Sequence, residues 1–92
     1  NIVGVPPLSI TFPVAGSTVE LPAQGGALAE LPLAAKGGVK PLRWLVNGQP
    51  LATTGWRREA FWLPDGEGLA RITVLDQAGQ TAGVEAWISR GK

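Results

Sequence analysis

The stretch Pro41-Leu42-Arg43-Trp44-Leu45-Val46-Asn47-Gly48-Gln49-Pro50-Leu51 decides how this chain folds. Leu42, Trp44 and Val46 alternate with Arg43 and Leu45, the period of two that sends successive side chains to opposite faces of a strand. Asn47-Gly48 is the dipeptide that accepts the positive φ angles of a two-residue hairpin turn. A β-hairpin is predicted here, with Trp44 on its buried face.

The same grammar continues on both sides. Downstream, Thr53-Thr54-Gly55 loosens the chain, and Glu59-Ala60-Phe61-Trp62-Leu63 reads as a strand stopped by the turn residues Pro64-Asp65-Gly66. Leu69 to Leu75 places Ala70, Ile72 and Val74 inward, and Asp76-Gln77-Ala78-Gly79 is a turn with Asp first and Gly last. Thr81 to Ile88 follows at once, with Ala82, Val84, Ala86 and Ile88 inside. Upstream, Leu8 to Phe12 stops at Pro13 and Thr18 to Leu21 stops at Pro22, giving two edge-type pieces or one kinked strand. Ala29, Leu31, Leu33 and Ala35 share a face up to Gly37-Gly38, and Pro32 marks a free side or a bulge in that strand. Ala27 to Leu31 contains good helix formers, but Pro32 argues against a long helix.

About seven short strands separated by turn signals predict an all-β domain, an immunoglobulin-like two-sheet antiparallel sandwich. The sandwich is expected over residues 8–90, with residues 1–7 as a linker whose Val5-Pro6-Pro7 is stiff.

Composition narrows the function classes. The chain has 92 residues, 45% hydrophobic and 16% charged, enough apolar content for one core. Eight basic against seven acidic residues give a net charge of +1 without a basic face, which argues against nucleic-acid binding. No apolar run is long enough for a membrane helix, so direct membrane insertion is not expected, and Asn1 to Leu8 lacks the features of a signal peptide. With no Cys and no His, disulfides, thiol nucleophiles and imidazole chemistry are unavailable.

The motifs that survive are weak. Ser89-Arg90-Gly91-Lys92 has the Ser-x-x-Lys spacing of a serine nucleophile and its lysine, yet it follows a strand instead of opening a helix, and no Ser-x-Asn accompanies it. Gly66-Glu67-Gly68 is half of a phosphate loop and precedes a strand. Asp65, Glu67 and Asp76 supply oxygens for a Ca²⁺ ion only if their loops meet. No catalytic residue, cofactor or metal site is therefore predicted.

Four tryptophans are the informative excess. Trp44 and Trp62 belong to apolar strands and are expected in the core. Trp87 falls on the outward face with Glu85 if Ala86 and Ile88 point in. By the same alternation Arg71, Thr73, Arg43 and Leu45 point outward on neighbouring strands. The candidate interaction surface is Trp87, Arg43, Arg71, Leu45 and Thr73, with Trp56 beside Arg57-Arg58 as a second exposed candidate. A Trp among arginines serves as an interface anchor or a sugar-stacking platform; alternatively, the arginine stems merely cover the ring.

Taken in order, Pro13-Val14-Ala15-Gly16-Ser17-Thr18-Val19, Leu31-Pro32-Leu33-Ala34-Ala35-Lys36-Gly37-Gly38, Pro41 to Gly48, Trp62-Leu63-Pro64 with Gly68, and Ile72-Thr73-Val74-Leu75-Asp76-Gln77-Ala78-Gly79 resemble the C-terminal domain of bifunctional (class A) penicillin-binding proteins of the 1C type. The resemblance covers residues 8–90. It implies a non-catalytic accessory domain following the glycosyltransferase and transpeptidase domains of a peptidoglycan synthase, anchored in the inner membrane and facing the periplasm. The implied partners are the upstream transpeptidase domain or periplasmic cell-wall proteins, an α2-macroglobulin-like protein among them. Peptidoglycan glycan is the alternative ligand, and a spacer without a ligand is the third reading.

Overall fold

A computed structural model describes residues 6–25, 27–51 and 57–91. Among these residues ten strands run in order: β1 (Ser9–Phe12), β2 (Thr18–Leu21), β3 (Ala23–Gln24), β4 (Ala27–Leu28), β5 (Leu31–Lys36), β6 (Arg43–Val46), β7 (Gln49–Pro50), β8 (Glu59–Trp62), β9 (Gly68–Leu75) and β10 (Thr81–Arg90). The two layers are a three-stranded sheet, β1-β5-β8, and a five-stranded sheet, β2-β10-β9-β6-β7, with β3 and β4 forming a small hairpin.

Core positions follow the period of two. Leu31 and Leu33 from β5 and Ala60 from β8 face Trp44 and Val46 from β6, Ala70, Ile72 and Val74 from β9, and Ile88 from β10, while Leu42 seals the approach to β6. Each large aliphatic side chain taken fully out of water contributes about 1.5–3 kcal/mol, so this seam is the main source of stability. Trp62 is half-buried and packs against the same cluster. The predicted hairpin closes β6 onto β7 with Leu45 opposite Pro50, and Asn47 and Gly48 have φ of 53° and 82°.

Three expectations are corrected. The pieces at Leu8 to Phe12 and Thr18 to Leu21 lie in different sheets, β1 beside β5 and β2 beside β10. The chain crosses between the layers at Val14 to Ser17, where the Ser17 amide and hydroxyl both donate to the Val14 carbonyl and Gly16 has φ of 75°. The sandwich is also not wholly antiparallel, because β2 runs parallel to β10. Finally, β5 begins at Leu31, and Ala29 is exposed. The Ala29 amide donates to the Pro22 carbonyl at 2.8 Å, adding a rung to the β3–β4 hairpin, so Leu28 is the buried residue there.

Pro32 has a local explanation. The Ala35 amide donates to the Arg58 carbonyl at 2.9 Å, and with Leu33 opposite Ala60 this makes the alternate position, Pro32 opposite Phe61, one whose backbone groups face away from β8. On that side β1 reaches only as far as Ala34, so no strand requires the N–H that proline lacks.

One end of the sandwich is closed by polar contacts around Asp76. Its Oδ2 accepts from the Val39 amide at 2.9 Å and from Gln80 Nε2 at 2.8 Å, and its Oδ1 accepts from the Gln80 amide at 2.7 Å. Gln80 Nε2 also donates to the Pro6 carbonyl, which accepts from the Gly38 amide as well. Burial works to raise the Asp76 pKa, but hydrogen bonds from the Val39 and Gln80 amides, the Gln80 side chain and the Ala78 amide outweigh it and hold the carboxyl below its ordinary value. A carboxyl whose pKa is lowered by folding stabilises the fold fully above its unfolded value of about 3.9, and that contribution disappears as pH falls through the folded value. The melting temperature should therefore decline as pH drops below about 4. Asp76→Asn should lower it at neutral pH and flatten that acid dependence, as thermal unfolding across pH will show.

Beside this network, Gly37 and Gly38 have φ of 74° and 72°, and a Cβ on Gly37 would run into the Pro7 carbonyl. Gly37→Ala is expected to cost about 2 kcal/mol through strain and displacement of the Pro6-Pro7 segment, readable by chemical denaturation.

Candidate functional site

The outer face of the five-stranded sheet carries the residues singled out by alternation, and the strand register sets their order. Thr81 lies opposite Leu75, which lies opposite Arg43. The next outward row is Gly83, Thr73, Leu45 and Pro50, followed by Glu85 opposite Arg71 and then Trp87 opposite Leu69. Successive outward rows are about 6.8 Å apart along the strands.

Trp87 and Leu69 are 54% and 43% exposed and face each other across the ladder, giving an apolar step at one end of the sheet. Beside it Arg71 Nε donates to Glu85 Oε2 at 2.9 Å. Both side chains of this ion pair are well exposed, so it adds little stability; its effect is to hold a guanidinium diagonal to the indole. Asn47 fixes the Arg71 backbone from the other side, donating its amide to the Arg71 carbonyl at 2.8 Å and accepting the Arg71 amide on Oδ1 at 2.9 Å. The hairpin turn read from Asn47-Gly48 thus also holds Arg71 in place.

Two shallow depressions border Arg71 and Thr73. One is floored by Gly83, which has no side chain, and is rimmed by Ala15 and Gly16 of the crossover between the sheets. The crossover is tied to β10 by the Gly16 amide on the Glu85 carbonyl at 2.7 Å and by the Trp87 amide on the Ser17 carbonyl at 2.8 Å. The other depression is lined by Asn47, Gly48 and Leu69 together with Arg71 and Thr73.

The register divides the surface expected from sequence. Arg71 and Thr73 continue toward Trp87, whereas Arg43 is three rows away, about 20 Å along the sheet, and belongs with Leu45, Pro50 and Leu75 around a separate depression. Trp87 is therefore flanked by Leu69 and Arg71, not by two arginines. Trp56 lies outside the described residues. Leu69 and Asn47 were missed as site residues. The signal for Leu69 was present in the Asp76 to Gly79 turn, because closing it sets Leu75 opposite Thr81 and counting back pairs Leu69 with Trp87.

The three carboxylates weighed as Ca²⁺ oxygens, Asp65, Glu67 and Asp76, do not converge. Asp65 and Glu67 precede β9 and Asp76 follows it, and eight strand residues span about 26 Å. No group of three or more His, Cys, Asp or Glu poised for a metal occurs among the described residues. No helix there is long and apolar enough to cross a membrane.

A chain with two layers of short strands, a core Trp on β6 and an open outer sheet face is a β-sandwich of the immunoglobulin and fibronectin type. Its sequence matches the penicillin-binding protein C-terminus family over residues 3–86, and the chain belongs to that family. No curated protein matches it. Among solved structures, the fibronectin(III)-like modules of Clostridium thermocellum CbhA superpose with a TM-score of 0.66 at 17% identity, covering 92% of this chain and 99% of that one. A CARDB domain from Pyrococcus furiosus, solved in complex with di-metal ions, gives a TM-score of 0.46 at 18% identity over 99% of this chain and 100% of that one. At these identities the CbhA likeness speaks to the fold alone.

Proposed function

We propose that this domain is a non-catalytic accessory module of a peptidoglycan synthase, exposed outside the cytoplasm in the periplasm, that docks a protein surface in cell-wall synthesis. The partner is the upstream transpeptidase domain or another periplasmic cell-wall protein. Family membership supports the cell-wall setting. The observation that carries the docking role is the Trp87–Leu69 step with the Arg71–Glu85 pair beside it. Interface anchors are typically aromatic side chains with arginine neighbours, set in an apolar centre with a polar rim.

Recognition of glycan strands is the second reading, favoured by the exposed indole standing next to hydrogen-bonding groups on Arg71 and Glu85. Leu69 weighs toward protein, since it extends the apolar step sideways where a sugar would need hydroxyl partners. The test is a titration of the domain with soluble muropeptides and, separately, with the transpeptidase domain, followed by tryptophan fluorescence. Docking predicts a saturable change with the protein and none with millimolar muropeptide. The reverse pattern would make the domain a glycan-binding module, and silence with both would favour a spacer.

A further inference from the structure

The second layer exposes a surface that the proposed function does not use. Strand β8 is an edge of the three-stranded sheet, and no described strand pairs with its outer side. From Arg57 to Asp65 every odd-numbered residue is exposed, while the even-numbered ones are partly or fully buried. Phe61 and Leu63 are 57% and 60% exposed. Because the Arg58 carbonyl accepts from the Ala35 amide, the even-numbered residues of β8 direct their backbone groups into the sheet, and Glu59 and Phe61 direct theirs to the free edge. Pro64, which ends the segment, falls on the even parity, so its missing N–H does not interrupt the open side.

An open edge is a template for another strand, and the charges along this one indicate which strand fits. Arg57 lies two residues before β8 and Asp65 three residues after it, and Phe61 and Leu63 stand exposed between Glu59 and Asp65. We propose that β8 pairs antiparallel with β8 of a second copy of this chain about a two-fold axis at Phe61, joining the two three-stranded sheets into one of six.

The register follows from parity and charge. Only odd-numbered residues offer free backbone groups, so the possible registers differ by steps of two. With Phe61 opposite Phe61 of the second copy, Glu59 meets Leu63 and Arg57 meets Asp65, and the two-fold axis repeats both pairs. Sliding one step toward the strand start sets Glu59 against Phe61 and leaves Asp65 without Arg57. Sliding one step the other way sets Glu59 against Asp65, two like charges. Each of these registers has a two-fold axis, and the one that sets Glu59 against Asp65 also brings Arg57 to Glu67; only the register centred on Phe61 joins opposite charges without opposing like ones, and it alone stacks the two phenyl rings as a cross-strand pair. Two short strands bury a small area, so the association is weak and reversible.

Sedimentation equilibrium of the 92-residue chain from micromolar to millimolar concentration tests the pairing. The expected result is a monomer–dimer equilibrium that goes no further than the dimer. Phe61→Glu, at an exposed position, should weaken it at least ~10-fold. Arg57→Asp and Asp65→Arg should each weaken it roughly 3- to 10-fold, and the double exchange should restore it. Trp87→Ala lies on the other sheet and should leave it unchanged, so failure of this pairing and failure of the proposed function are distinguishable. A chain monomeric through the millimolar range overturns the proposal, as does a dimer indifferent to Phe61→Glu or charge reversals that do not compensate each other.

Discussion

Trp44→Ala should destabilise the fold sharply. Trp44 sits on β6, between β9 and the edge strand β7 of the five-stranded sheet, is 2% exposed, and packs into the cluster built from both layers. Truncating a buried Trp costs about 3–5 kcal/mol through lost transfer energy and the cavity left behind. A domain of this size has a total stability of roughly 5–14 kcal/mol, so the melting temperature should fall on the order of 20 °C. Trp44→Phe makes the sharper comparison. The indole Nε1 is buried and has no hydrogen-bond partner among the described residues. Replacing the ring with phenyl removes some apolar contact but also removes a desolvated donor that gains nothing in return. Trp44→Phe should therefore cost less than half as much as Trp44→Ala by urea denaturation. Equal losses would show that the indole N–H is bound.

Trp87→Ala should leave the fold nearly untouched and abolish docking. The ring is half exposed and its partner across the ladder, Leu69, is too, so its removal costs at most about 1 kcal/mol of stability. As the anchor of an interface, the same side chain is worth about 2–4 kcal/mol, a loss of roughly 30- to 1,000-fold in affinity for the partner. Arg71→Glu should weaken binding in the same assay, because it places a carboxylate against Glu85 and withdraws the guanidinium held diagonal to Trp87. Calorimetric titration of the transpeptidase domain with wild type and both variants, alongside their melting curves, separates loss of binding from loss of fold.

Legibility in the sequence followed the reach of the interactions. The β6–β7 hairpin was legible because Asn47-Gly48 encodes its turn locally, and the inward faces of β6 and β9 were legible because both alternate without interruption. Sheet membership of β1 and β2 was not, since edge strands in either layer alternate alike and the crossing at Val14 to Ser17 depends on the Glu85 carbonyl and the Trp87 amide of β10, far along the chain. Ala29 had the right parity for β5, yet its backbone was claimed by Pro22 in the short β3–β4 hairpin. At the candidate site, alternation identified which residues face outward but not which stand together. That required the register across the Asp76 to Gly79 turn, which brought Leu69 to Trp87 and separated Arg43 from it. Phe61 was legible as a strand residue, but its place on an open edge depends on the absence of a described strand beyond β8.

The most direct measurement is the two-dimensional NMR spectrum of the indole and backbone amides during addition of the transpeptidase domain and, in a second sample, of soluble glycan strands. Trp87→Phe assigns the relevant indole signal. The docking account predicts that the Trp87 indole and the amides of Leu69, Arg71 and Glu85 shift together with the protein and stay still with glycan. Shifts at those positions with glycan alone, or protein-induced shifts confined to other surfaces, would contradict it.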